Sequence, residues 1–470
     1  MKKHLTGILS FLVLNMCCCP EIISQEKRWE GPSVHFNHGT LRVTPNGRYL
    51  QFEDGIPFFF LGDTAWELFH RLNRKEAVKY LENRREKGFT VIQAAALAIF
   101  DGLNTPNPYG DTPLINNNPL KPDVAYWKHV DYIIGEAENR GLFIGLLPTW
   151  GDKVDVRWGK GPEIFTVKNA YKYGQWIGRR YKNNPNIIWI IGGDRKCGGD
   201  NYEIWDAMAT GIKSVDSNHL MTYHPNGGAN SSTCFHHAEW LDFNMLQTGH
   251  SGKFISVYER IFSDYELLPV KPCMDGEPCY ENHPVKWNND NGRFDDDDVR
   301  RAAYWALFAG AHGHTYGCHP IWNMLQGDQK MVNPPQQTWD EVLDLPGAWD
   351  MIHVRNLMLS RPYFSRIPDQ SIIRSGEENY TNHVVATRGD GYAMIYLPAN
   401  REITVNPHKL RADTLVAWWY NPRNGKSDTP VILPAEGNLY FETPVKGVDW
   451  VLVLDDKTRK YPRPGTQDPD

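Results

Sequence analysis

Residues 184–194 read N-P-N-I-I-W-I-I-G-G-D, and this stretch decides the fold. From Ile187 to Ile191 every residue is apolar, without the polar alternation of a strand wetted on one face. Such a run belongs to a strand buried on both sides, as in a parallel sheet covered by helices. Gly192 and Gly193 then let the backbone turn, and Asp194 stands at the strand's C-terminal end. That end is where an α/β barrel carries its chemistry. Capping of the next helix is the competing reading of a lone Asp. A second stretch answers it: residues 270–278, V-K-P-C-M-D-G-E-P, form another short strand that delivers Glu277.

Working outward, strand and helix alternate about eight times. Residues 47–57 read as a hairpin turning at Asp54-Gly55, followed by a buried strand that ends at Asp63. The spacing predicts a helix over 75–87 closed by Gly88, a strand over 89–96, a helix over 126–140 and a strand over 142–147 that presents Trp150. Further strands are expected over 219–223, ending in His224, over 242–246, ending in Gln247 and His250, and over 311–317, carrying His314 and Tyr316. The loop 101–122, rich in Asn, Pro and Gly, is long enough to suggest a function. Eight such units are the count of a (β/α)₈ TIM barrel, with Asp194 ending the fourth strand and Glu277 following the seventh.

After Pro362 the helical period gives way to short alternating strands separated by turns such as Gly389-Asp390-Gly391 and Asn424-Gly425. This predicts a C-terminal antiparallel β-sandwich. The expected division is 1–25 as a signal peptide, 26–362 as the barrel and 363–470 as the sandwich. Lys2 and Lys3 before the apolar run 5–14 are the signal-peptide pattern, so the protein is expected to be exported, periplasmic or at the cell surface, with no transmembrane segment in the mature chain. Cleavage near Ser24-Gln25 competes with a lipid anchor at Cys17.

The 470 residues carry a net charge of −6 and no nucleic-acid signature, which speaks against a polyanionic partner. The five Cys beyond residue 19 lack paired zinc spacing, and no disulfide framework is expected. No cofactor and no metal are expected; calcium at the acidic run 295–298 is a minor alternative to its being a helix start. The 17 Trp supply rings for stacking on sugars as well as for the core.

Two carboxylates on separate barrel strands facing one pocket are the minimum apparatus of glycosidic hydrolysis, one protonated and one ionised. The stretches at 47–68 (G-R-Y-L-Q-F-E-D-G-I-P-F-F-F-L-G-D-T-A-W-E-L), 187–194 and 242–250 (D-F-N-M-L-Q-T-G-H) resemble the apiosidase-like glycoside hydrolases, family 140. Residues 366–373, 417–425 and 449–456 are similar to the module that follows that domain, labelled collagen-binding by its family name. The resemblance implies cleavage of apiose linkages in side chains of the pectin rhamnogalacturonan-II, with Asp194 as acid/base and Glu277 as nucleophile. The wider clan of retaining barrels carries Asn-Glu where this chain has Gly193-Asp194, so an Asn contact to the sugar is missing. Substrate-binding candidates are Asp63, Trp66, Trp150, His224, Gln247, His250, His314 and Tyr316. The alternatives are a glycosidase of another pectic or hemicellulosic linkage, and a non-catalytic secreted protein that binds carbohydrate or matrix.

Overall fold

A computed structural model describes residues 28–466 apart from 328, 330, 334–336, 377–379 and 400–401. The expected signal peptide and Cys17 lie outside the described residues. Eight parallel strands form the barrel: β1 Phe60–Thr64, β2 Val91–Ala95, β3 Phe143–Leu147, β4 Ile187–Gly192, β5 Met221–His224, β6 Asn244–Leu246, β7 Cys273–Asp275 and β8 Gly313–Tyr316. Hydrogen bonding runs continuously from β5 through β1 and β8 to β6. The seam between β5 and β6 closes through the Asp242 N–H on the Met221 carbonyl at 2.9 Å and the Thr222 hydroxyl on the Phe243 carbonyl at 2.7 Å.

The apolar run of β4 divides by parity. Ile188 and Ile190 join an inner cluster with Phe60, Val91, Phe143 and Met245, while Ile187, Trp189 and Ile191 pack outward against the helix layer. Three short antiparallel strands, Leu41–Val43, Leu50–Phe52 and Pro57–Phe58, place Leu41, Leu50, Phe52 and Phe58 beneath that inner cluster. They plug the N-terminal end, and the cavity lies at the end where β4 delivers Asp194.

Helices α1 Arg74–Glu86, α2 Val124–Glu138, α3 Val167–Tyr181, α4 Tyr202–Lys213, α5 Val257–Tyr265, α6 Asp296–Phe308 and α7 Pro346–Leu359 form the outer layer. Capping boxes start three of them: Asn73 with Glu76, Thr166 with Asn169, and Asp295 with Asp298. The acidic run 295–298 is therefore a helix start whose charges also meet Lys253, Arg300 and Arg301.

The tail is a sandwich of a seven-stranded and a three-stranded sheet around Ile372, Ile395, Ile403, Leu415 and Leu452. Neighbouring side chains on the strand Thr414–Asn421 point opposite ways: Trp419 packs into this core beside Trp450, and Trp418 packs on the barrel side. Buried polar contacts fasten the two parts. Arg300 of α6 meets Asp449 at 2.8 Å, and Arg361 grips Asp455 with two bonds of 2.7 and 2.8 Å. Tyr304 stacks on Tyr396 with ring centroids 4.8 Å apart.

Candidate active site

A cavity of about 680 Å³ opens at the C-terminal end of the strands. Asp194 and Glu277 both line it, with Trp66, Trp150, Gln247 and His250. The turn that presents Asp194 is unusual: Gly192, Gly193 and Asp194 all have positive φ, of 97°, 116° and 58°. Asp tolerates the left-handed region better than most residues, yet it stays there only when its surroundings fix it. Here the Asp194 N–H donates to His224 Nδ1 at 3.3 Å, and Arg195 donates to the Asp194 carbonyl at 2.8 Å and to the Asp155 carbonyl at 2.7 Å. A Cβ on Gly193 would sit 2.9 Å from the Gly151 nitrogen and 3.2 Å from Trp150, so an Asn does not fit here.

Glu277 is placed by its backbone and gripped at its carboxylate. Its N–H donates to Asp275 at 3.2 Å, while Gln93 from β2 donates to the Gly276 carbonyl at 3.1 Å. His224 Nε2 lies 3.0 Å from one carboxylate oxygen and His250 Nε2 3.2 Å from the other. Because His224 Nδ1 accepts the Asp194 N–H, its proton sits on Nε2, toward Glu277. One imidazole thus fixes the backbone of the first carboxylate and the charge of the second.

The two carboxyls are driven apart. Burial, then the negative Glu277, push Asp194 above its ordinary value. Burial also works to raise Glu277, but the close approach of His224 and the hydrogen bond with His250 outweigh it and leave the group below its ordinary value. At neutral pH the cavity therefore holds one acid inclined to keep its proton and one carboxylate inclined to stay ionised. Gln247 Oε1, Asn226 Oδ1 and Trp150 Nε1 are among the polar atoms of the lining residues that lack protein partners. Two acceptors and a donor around a partly aromatic cavity suit the hydroxyls and the C–H face of a sugar.

Three expected site residues lie elsewhere. Asp63 is fully buried against α1, accepting from Tyr80 OH at 2.5 Å and Arg84 Nε at 2.6 Å. Tyr316, paired in register with Asp63, donates to Glu281 at 2.6 Å, and His314 pairs with the outward-facing Leu61. Side chains in register on parallel strands share a face, and in β1 the inner parity belongs to Phe60 and Gly62. Closeness to a strand end was right for these residues and parity was wrong. The loop 101–122 also stands mostly aside: residues 105–108 line a neighbouring cavity of about 590 Å³ that shares Phe100 and Val332 with the first.

Other residues carried no sequence signal. Trp158 donates its indole N–H to Asp194 Oδ2, Tyr280 lies 4.4 Å from the His250 ring, and Lys286, Trp287 and Trp322 complete the wall. Of these only Tyr280, three residues beyond Glu277, stood near a motif. The expectation of no disulfide is corrected as well. Cys197 and Cys234 are bonded across 37 residues, tying the loop after Asp194 to the helix Ser232–Phe235 after β5. Adjacent barrel strands bring the two together, which sequence spacing does not reveal. Cys273, Cys279 and Cys318 are buried free thiols.

Comparison with known proteins finds relatives over most of the chain. The family described as "Apiosidase-like, catalytic domain" matches residues 44–365, and that described as "Putative collagen-binding domain of a collagenase" matches 367–455. A solved structure titled "Glycoside hydrolase" is 35% identical with a TM-score of 0.85, covering 91% of this chain and 99% of its own. A glycoside hydrolase family 5 structure from Bacteroides vulgatus is 33% identical with a TM-score of 0.86, covering 92% and 96%. Among curated proteins, "Probable mannan endo-1,4-beta-mannosidase C" of Aspergillus terreus is 25% identical over 236 residues, 40% of this chain and 56% of that enzyme. The chain thus matches little more than half the length of that curated relative.

Proposed function

From the premise that the chain belongs to the apiosidase-like family of glycoside hydrolases, we propose that it releases apiose from side chains of rhamnogalacturonan-II by double displacement. Asp194 is the acid/base and Glu277 the nucleophile. The observation that carries the reading is the placement of two carboxyls in one cavity, Glu277 between His224 and His250 and Asp194 against the Trp158 indole. In the first step Asp194 gives its proton to the departing glycosidic oxygen while Glu277 bonds to the anomeric carbon. In the second, Asp194 takes a proton from water, which displaces Glu277 and frees the sugar. His224 and His250 keep the nucleophile charged, and the unpaired polar atoms of Gln247, Asn226 and Trp150 receive the sugar's hydroxyls.

We place this reaction outside the cytoplasm. The Cys197–Cys234 bond favours an oxidising compartment, in keeping with the signal-peptide pattern at residues 1–25. The tail acts as a brace, since the residues lining the cavity all lie between 66 and 332.

Purified side-chain oligosaccharides of rhamnogalacturonan-II are the test substrate, with free apiose as the product to be found by chromatography. Release of a different sugar from a pectic or hemicellulosic panel, and none of apiose, would transfer the activity to another linkage. Mechanism is tested by pre-steady-state phenol release from an aryl glycoside. Asp194→Asn should keep the burst, because a phenol departs without an acid, yet lose roughly 10²–10⁴-fold on the natural linkage. Glu277→Gln should abolish both. Sugar binding without turnover in the wild-type protein would instead favour a binding protein.

A further inference from the structure

Trp158 occupies a position that the mechanism above leaves unused. It lies in the segment between β3 and α3, on the rim of the catalytic cavity, and is 54% exposed. Its indole N–H nevertheless bonds one oxygen of Asp194, Oδ2. The Arg195 guanidinium lies 5.1 Å from the ring centroid, against the ring. The segment is anchored from within: Asp152, fully buried, accepts the backbone N–H groups of Lys160 and Gly161, each at 3.0 Å, and pairs with buried Lys153 at 2.7 Å. A buried ion pair is costly to build into a loop, and this one fixes the stretch that holds Trp158.

We propose that Trp158 is a leaving-group residue with two tasks: its N–H reserves one oxygen of Asp194, and its open face stacks on the ring of the sugar that departs. This rests on the reading of Asp194 as the acid. With Oδ2 occupied by the indole donor, the acid proton is confined to Oδ1. On cleavage that proton passes from Oδ1 to the glycosidic oxygen, which keeps the electron pair of the breaking C–O bond, while a Glu277 oxygen pair forms the new bond to carbon. The indole then holds the new Asp194 carboxylate. Sugar rings present C–H faces that pack on aromatic planes, so the occupant is a pyranose or furanose residue on the leaving side. Binding that residue and orienting the acid become one event.

The groups facing Asp194 are Glu277, His224, Arg195 and Trp158. Of these Trp158 is the uncharged group that donates to the Asp194 carboxyl itself. Trp158→Phe keeps a stacking face and deletes the N–H; Trp158→Ala deletes both. On the natural oligosaccharide, Trp158→Phe should hold KM within about twofold of wild type and lower kcat roughly tenfold. It should also move the alkaline limb of kcat up by about one pH unit, since a donor to the ionised form is gone. Phenol release from an aryl glycoside should stay at the wild-type rate. Trp158→Ala should add a rise of roughly 3- to 10-fold in KM. A Trp158→Phe enzyme with unchanged kcat and alkaline limb overturns the acid-orienting task, and equal KM increases in the two variants overturn the stacking. Asp194→Asn on the same two substrates separates the premises. If it fails equally on both, the acid assignment falls; if it discriminates while Trp158→Phe is silent, this inference alone falls.

Discussion

Replacing His250 by Phe tests the claim that the charge on Glu277 is held by its imidazole neighbours. Phenylalanine keeps a ring for the contacts with His283, 4.2 Å away between centroids, and with Tyr280 at 4.4 Å, but it offers no donor to Glu277. A hydrogen bond to a buried charged group is worth about 1.5–3 kcal/mol. At about 1.36 kcal/mol per pKa unit, its loss raises Glu277 by about one to two units. Glu277 lies below its ordinary value in the folded enzyme, and with one donor gone the same burial carries it upward. The acid limb of kcat/KM, which reports the free enzyme, should therefore move to higher pH by that amount. The neutral plateau should fall by less than about tenfold, since the donor favours ionised Glu277 over its glycosyl ester and its loss does not weaken attack. The linked stability behaves alike. A carboxyl with a depressed folded value stabilises above its unfolded value and loses this as pH falls through the folded one; raising Glu277 shrinks that contribution, so the variant should be less stable at neutral pH and lose less stability on acidification. An acid limb at its wild-type pH, with the plateau reduced, would refute the reasoning and make His250 a spacer.

Further outcomes follow from other parts of the fold. Asp63→Asn leaves Arg84 buried without its counter-charge, so thermal unfolding should show a loss of about 3–5 kcal/mol while KM of the folded enzyme is unchanged. The Cys197→Ser/Cys234→Ser double variant opens a loop of 37 residues and should lose about 3–4 kcal/mol in denaturant titration, with turnover reduced because the Asp194 turn is freed. Arg361→Ala removes a buried bidentate pair between barrel and tail, and a scan should show the barrel itself melting earlier, not the sandwich alone. In wild type, kcat/KM should fall as pH rises through the raised Asp194 value and as it falls through the lowered Glu277 value.

The barrel was legible because β4 and its neighbours are hydrophobic on both faces, and because eight strands alternate with amphipathic helices. Asp194 and Glu277 were legible for a related reason: in this architecture strand ends are where chemistry sits. What failed was the side of the strand. Asp63 and Phe60 stand three residues apart, and only pairing with β8 tells which parity looks inward. Loop residues were harder still. Nothing near Trp158 in sequence announces that it reaches Asp194, since that contact joins the ends of β3 and β4 across 36 positions. The disulfide was hidden likewise, for Cys197 and Cys234 become neighbours only after two strands lie side by side.

The fastening of the tail has a consequence for the order in which the chain matures. Arg366, at the junction, donates to the carbonyls of Leu307 and Ala311 at the end of α6, and its own carbonyl receives the Tyr49 hydroxyl. Arg300 and Arg361 wait for Asp449 and Asp455, which are synthesised after the last barrel strand. A nascent barrel with every strand present would still carry two buried cations without these partners. Such a chain is a half-sealed vessel: closed around its sugar site, open along its flank. Completion of the barrel's flank thus falls to the sandwich that follows it, and a barrel without that sandwich is expected to meet proteases before it meets substrate.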